Sequence, residues 1–387
     1  MRLIHPDLLQ YLSSQFQISG RAPNQAVFLF NKNTNEQMRL DRVMSIDVDQ
    51  RWDTPAGEFR IVADNQDGWL SPDYAEWKID DLSRMDRGQP SHNPWSDAWP
   101  GVIWPNTKVE IWLGYGTEND LLKQITGLVD TVAMNAEMQT ITITGRTMYK
   151  KVLVETPNIT GESYKYTNTT ARDILIDIHS RIGLSISASP ILIHGTNSIY
   201  DVKEFEIKRG RTWDSYVSDL ILSTYTRIHS NSDGVTIVEP VPQYSQSSQA
   251  DHVLDETINL QSLSYRIDDI DIFSNVLVKS ENGMNAYVNS FFRDHVMNGQ
   301  FREEVLDIPW ADTEAKRQMA AAAFFRRMRQ KFRSISVASV GHPGIELYDL
   351  CRVKEIVSTA SAKYVVKGIR TSYSEQGYFD FLELEFT

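Results

Sequence analysis

The sequence predicts a mainly β chain in which a small α+β unit interrupts two β regions and a long helix braces the second. Three observations predict it. Short runs alternating apolar and polar residues, broken by Gly, Asn, Asp and Pro, fill residues 26–157 and return from 258 to 387. Helical periodicity is concentrated between 158 and 242. A stretch of strong helix formers, "ADTEAKRQMAAAAFFRRMRQKF", is followed at once by further strands.

At 387 residues the chain exceeds one core of ordinary size, and two to four domains are expected. Hydrophobic residues at 41% and charged residues at 23% are those of a folded globular protein. The 39 basic against 51 acidic side chains give a net charge of −12. That balance argues against a protein whose main task is to grip phosphate backbones. The single cysteine, Cys351, cannot form an internal disulfide and reads as a small buried hydrophobe.

Residues 1–25 begin without an unbroken apolar core of a signal peptide, and no run approaches the length of a membrane span. The chain is therefore expected to stay in the cytoplasm or to leave it without a signal peptide, and no membrane insertion is expected. Leu8, Leu9, Leu12 and Phe16 recur at helical spacing and predict a short amphipathic helix.

The first β domain, 26–157, is carried by "AVFLF", "VMSIDVD", "GEFRIVAD", "KVEIWLGYG", "KQITGLVDTVAMN" and "QTITITGRT". A long insertion at 65–105 holds Trp69, Trp77, Trp95, Trp99 and Trp104, interleaved with Pro94, Pro100 and Pro105. Insertions of that length inside a compact domain commonly make contacts, and these five tryptophans are the candidate partner or subunit contacts. Sugar stacking on the same rings is the competing functional reading; burial or an interface is the structural one.

In the unit at 158–242, Thr169 or Thr170 is the expected cap of a helix that buries Ala171, Ile174, Leu175, Ile178 and Ile182 and stops at Gly183. A second helix is expected after Thr212, and Asp233-Gly234 predicts a hairpin. The polar stretch 243–257 reads as a linker. The second β domain spans 258–387 and includes a helix at 312–332 with Asp312 as its expected cap.

Catalytic and metal motifs do not emerge. The eight histidines are scattered, and neither a nucleophile elbow, a phosphate-binding glycine loop nor a dinucleotide fingerprint occurs. His179 and His342 read as structural. Asp268, Asp269 and Asp271 lack the glycine a calcium loop needs. The basic run "RRMRQKFR" at 326–333 does not form one narrow stripe and suits an acidic neighbour better than nucleic acid. No cofactor is expected, and the chain is not expected to be an enzyme.

The order of these parts resembles the tail baseplate hub family of contractile phages, tailocins and type VI secretion spikes, and the N-terminal part of siphophage tail-associated proteins. A strand domain is followed by "TARDILIDIHSRIGL" and "TWDSYVSDLILSTYTRIHSNSDGVTIVEP", then by a helix leading into "GHPGIELYDLCRVKEI". The resemblance covers about residues 25–387. It implies two tandem tube-type β-barrels per chain and a homotrimer that closes a central channel in a virion tail baseplate. The implied partners are the tail tube or distal tail protein above, the central spike below and other baseplate proteins, with tape-measure protein and DNA passing through unbound. If the net acidity of the chain extends to the lumen, it would let them slide without sticking. The chain stops with its last strand, so wall-degrading activity would lie elsewhere. A carbohydrate-binding or host-wall-binding module and a β-rich wall hydrolase are the rival expectations.

Overall fold

The computed structural model describes residues 22–30, 35, 37–66, 70, 103–135, 137–158, 163–193, 196–242, 244, 247–267, 272–354 and 361–386. The amphipathic segment before residue 22, the Asp268–Asp271 cluster and most of the Trp-rich insertion lie outside them. Among the described residues no helix is long and apolar enough to cross a membrane.

The first β region contributes β1 (Pro23–Phe30), β2 (Gln37–Arg39), β3 (Val43–Arg51), β4 (Thr54–Asp64), β5 (Lys108–Tyr115), β6 (Leu122–Asn135) and β7 (Thr140–Thr147). They pair antiparallel in the order β3-β4-β7-β6-β5-β1-β2. The long β6 turns the sheet: its first half pairs with β5 and its second with β7, with a bulge between Val129 and Thr131. Alternation places Ile46, Ile61, Ile111, Ile125, Ile141 and Ile143 in one core, each at most 1% exposed. Burial of such a side chain stabilises by roughly 1.5–3 kcal/mol.

Two glycines let this core close. A Cβ at Gly145 would lie 2.3 Å from the Leu128 carbonyl oxygen and 2.4 Å from the Phe59 ring; at Gly127 it would lie 2.8 Å from the same ring. Phe59 therefore lies across two strands that only glycine can bring so near.

After the short helix α1 (Lys150–Val154) comes the α+β unit. Strands β8 (Ser163–Thr170) and β10 (Asp201–Lys208) form one hairpin-like pair, and β9 (Ile186–Ala188), β11 (Thr226–Ser230) and β12 (Thr236–Pro240) a second small sheet. Thr170 caps α2 (Ala171–Arg181), its hydroxyl accepting from the Asp173 backbone N–H at 3.1 Å. Gly183 follows with φ of +65°. The expected face of α2 is buried against α3 (Trp213–Ser223) in one core. Gly234, at φ +78°, turns the β11-β12 hairpin.

The second β region holds β13 (His252–Asp255), β14 (Leu260–Ile267), β15 (Asn275–Ser280), β16 (Gly283–Val288), β17 (Glu303–Asp307), α4 (Glu314–Phe332), β18 (Arg333–Val340), β19 (Leu350–Lys354), β20 (Ser361–Ser374) and β21 (Gly377–Phe386). Three details differ from the sequence expectation. Strand β13, inside the stretch read as a linker, pairs parallel with β19 because its polar residues have partners there: His252 Nε2 meets Asp349 Oδ2 at 2.9 Å. Strands β15, β16 and β17 form a separate sheet beneath α4, where Val276, Val278 and Leu306 pack against Ala320 and Ala321. The cap of α4 is Thr313, whose hydroxyl accepts from the Lys316 N–H; Asp312 instead binds the Lys316 ammonium at 2.8 Å and that of Lys203 at 2.7 Å.

Strands β14-β18-β21-β20 then join the first region directly. Residues Gly368–Ser374 of β20 pair with Ser45–Arg51 of β3, so the two β regions share one hydrogen-bonded sheet while keeping separate cores.

The turn at 341–349 is held by buried polar groups. Rings of His252 and His342 lie 4.8 Å apart, the Asp349 carboxylate accepts from the Glu346 N–H at 2.8 Å, and Asp380 accepts from the His342 N–H. Part of the His342 residue reaches solvent, but its ring is enclosed by packed neighbours, and burial followed by the nearby His252 pushes its pKa down to about 3. Burial and then Arg227 push His229 down to about 4.

Two outcomes are expected. Gly145→Ala should lower stability by about 1–3 kcal/mol through overpacking against Phe59, read as a shifted urea midpoint. Both histidines are neutral in the fold and titrate near 6.5 when unfolded. Stability should therefore fall as pH drops below about 6.5, by roughly 2 kcal/mol per histidine at pH 5. Urea titrations at pH 7.5, 6 and 5 check this, and His342→Gln should flatten the slope.

Candidate functional site

The face opposite the two cores is where the structure offers a surface. Cross-strand register puts Ser262, Ser264 and Arg266 of β14 beside Ala338, Ser336 and Ser334 of β18. Beside these stand Phe381 and Glu383 of β21, and Arg370 and Ser372 of β20. The row continues across the seam through Asp47 and Asp49 of β3, Arg60 and Glu58 of β4, Thr144 and Arg146 of β7, and Thr131 of β6. Eight strands thus carry one continuous face, β14-β18-β21-β20-β3-β4-β7-β6.

That face is concave and polar. Two hollows run along it. One of about 240 Å³ lies between Ser262, Ser336, Arg370 and Glu383, and one of about 370 Å³ between Asp47, Glu58, Arg60, Asp130 and Arg146. Its charges are interleaved rather than acidic: Arg51 meets Asp49 at 3.1 Å and Glu383 at 3.7 Å, and Arg370 meets Asp47 at 3.7 Å. Exposed pairs of this kind contribute little stability, about 0–1 kcal/mol each. Their consequence is a surface on which neither sign predominates. The expectation of an acidic lumen therefore has no counterpart on this face.

One pair is less exposed. Arg146 holds Asp130 through two hydrogen bonds, at 2.7 and 3.0 Å, and the buried Lys150 ammonium reaches the same carboxylate at 2.8 Å. Burial alone would push Asp130 up, but the bonds from Arg146 and Lys150 outweigh it and hold the carboxyl below its ordinary range.

Both ends of the eight-stranded row are unpaired among the described residues. Strand β14 pairs with β18 alone, and β6 pairs with β7 alone from Thr131 onward. Large apolar side chains stand exposed at each end: Tyr265 at 52% and Ile267 at 68% on β14, and Met134 at 47% on β6. Such edges are ready templates for pairing with another strand.

No family model and no curated protein matches the chain. Solved structures do. A tail protein from Neisseria meningitidis MC58 superposes with a TM-score of 0.65 at 13% identity, over 94% of this chain and 96% of that one. The 43 kDa tail protein of prophage MuSo2 from Shewanella oneidensis gives 0.62 at 14% identity, over 93% and 97%. A type VI secretion component of E. coli, itself described as similar in structure to T4 bacteriophage tail proteins, gives 0.50 at 9% identity, over 89% and 73%. The chain has the fold of phage tail proteins. The same fold occurs in that component of the type VI secretion system, and the resemblance seen in the order of sequence elements is a resemblance of architecture.

Of the five candidate tryptophans, Trp69, Trp77, Trp95 and Trp99 lie outside the described residues. Trp104 is half-buried in the turn before β5, where its backbone N–H donates to the Thr107 hydroxyl at 3.2 Å. The structure does not bring it together with Trp52 or Trp112 as a flat stacking platform: Trp52 packs against the second β core, and Trp112 lies under the Lys123 ammonium. His179 is buried with Nδ1 on the Leu175 carbonyl, Cys351 is buried in a core with its thiol pushed up by burial, and Arg326 of the basic run meets Glu385 at 3.5 Å. No cluster of His, Cys, Asp or Glu able to hold a metal occurs among the described residues. The concave face was not singled out from sequence, although its signal was present in the Thr and Arg that alternate with apolar residues in "TITITGRT".

Asp130→Asn should leave the buried Lys150 ammonium with no anion. A loss of about 2 kcal/mol is expected, less than for a fully buried pair because Asp130 keeps some solvent, and it would be read as a fall in Tm and urea midpoint.

Proposed function

We propose that the chain is a structural hub of a phage or phage-like tail, three copies of which close into a channel ring at the baseplate. The observation that carries this reading is the eight-stranded concave face with an unpaired, apolar edge at each end. An open sheet of this length with sticky edges is a liability in a monomer, and cyclic closure removes both edges at once. Pairing the β14 edge of one copy with the β6 edge of the next would place the polar faces inward.

Each chain brings two β regions joined in one sheet, so three chains would present six similar surfaces to a sixfold tail tube while offering a threefold surface to a central spike. The interleaved charges of the inward face suit passage of tape-measure protein and DNA without adhesion. The role is structural rather than catalytic: it binds the tube above, the spike below and neighbouring baseplate proteins, with the Trp-rich insertion and its Trp69, Trp77, Trp95, Trp99 and Trp104 supplying contacts to one of them. Solved structures of this fold named as tail proteins and as a component of a type VI secretion system support the reading.

Light scattering after size exclusion tests it. Three chains of 44.3 kDa give a particle of about 133 kDa. The double variant Tyr265→Asp, Ile267→Asp should reduce the trimer to monomer while leaving Tm nearly unchanged, because both side chains are exposed in the single chain. A wild-type chain that stays monomeric even with the tail tube and spike proteins added would overturn the proposal.

A further inference from the structure

The basic run of α4 divides on folding. Arg326 meets Glu385, whereas Arg327 turns toward α3 and donates to the Ile221 carbonyl oxygen at 3.1 Å. From β11, Arg227 pairs with Glu239 and lies over the Tyr348 ring, 4.2 Å from its centroid. All three arginines line one cavity of about 570 Å³ between α3, β11, α4 and the start of β4.

The donors there outnumber their acceptors. A guanidinium carries five N–H donors and stays charged in proteins. Nε and Nη1 of Arg227 and Nε of Arg326 are buried without a hydrogen-bond partner, and the one hydrogen bond of Arg327 among the described residues goes to an uncharged carbonyl. Glu239 and Glu385 neutralise Arg227 and Arg326 but leave Arg327 without a carboxylate among the described residues. The acids on the cavity wall itself are Asp53, which is exposed to water, and Glu304, which is half-exposed. A charge largely withdrawn from water without a counterion is unfavourable, and a planar guanidinium matches an oxyanion through two parallel bonds.

A second observation stands at the same place. Tyr348, on the cavity wall, holds a backbone φ of +72°, uncommon for a bulky residue, fixed by its N–H donating to the Val366 carbonyl at 2.7 Å. Strain of this kind persists where surrounding structure imposes it and gathers at ligand sites. Burial raises the Tyr348 phenol to about 12, so it remains a protonated donor.

We propose that this cavity is an oxyanion site, in which a carboxylate or phosphate group is held by Arg327 with Arg227 and Arg326 beside it. The site belongs to a single chain, so it stands or falls separately from ring closure.

Isothermal titration of the purified full chain with inorganic phosphate, citrate and a hexaglutamate peptide, at matched ionic strength, tests it. Saturable binding of at least one probe is expected, weakened about tenfold or more by Arg327→Met and by less than about twofold by Arg329→Met, an exposed cation on the same helix outside the cavity. Preference for hexaglutamate would assign the oxyanion to an acidic partner segment; preference for phosphate or citrate would assign it to a free small anion. Should Arg327→Met fail to fold, Arg327→Lys keeps the charge but loses the fork and should also weaken binding. Absence of saturable binding to the wild-type chain by all three probes, or an equal loss in Arg329→Met, overturns the proposal.

Discussion

The pairing of β20 with β3 is the contact on which the rest of the architecture depends. Seven consecutive residues on each strand, Gly368–Ser374 against Ser45–Arg51, turn two β regions with separate cores into one sheet. Because side chains alternate with a period of two, this register fixes every position of the shared face at once. A slip by one residue would carry Ile46 and Val48 out of the core and Asp47 and Asp49 into it.

The shared face explains why its charges are paired rather than grouped. Side chains on a concave sheet converge, and like charges brought together there would repel, so Asp47, Asp49 and Glu383 each stand beside an arginine. The cations away from this face follow a different rule. Lys150 and Lys316 are enclosed and each has a carboxylate within 2.8 Å, whereas the half-buried Arg327 has among the described residues only a carbonyl. That contrast within one chain distinguishes cations that hold domains together from one that lacks its counterion.

Much of the fold was legible in sequence because it rests on local rules. Thr170 and Gly183 bound α2, Asp233-Gly234 turns a hairpin, and alternation marks the strands of the first core. What escaped were features whose partners are remote in sequence. Polar His252 reads as linker until Asp349, almost a hundred residues away, is placed beside it. Asp312 reads as a helix cap until Lys203 and Lys316 claim it. Strands β15, β16 and β17 have the same periodicity as barrel strands, and only the alanine face of α4 shows that they belong to another sheet.

The candidate surface was less legible than the fold. Tryptophan drew attention because it is rare and large, yet the described concave face is built from Ser, Thr, Asp and Arg, residues common on any solvated strand. Sequence by itself determined which residues alternate, which segments are helical, and that the chain is mainly β with an α+β insertion, since these depend on spacing and backbone preference along a few residues. Tertiary structure alone decided which outward rows align into one face, which edges stay unpaired and which arginines share a cavity, because those follow from strand order and register between segments hundreds of residues apart.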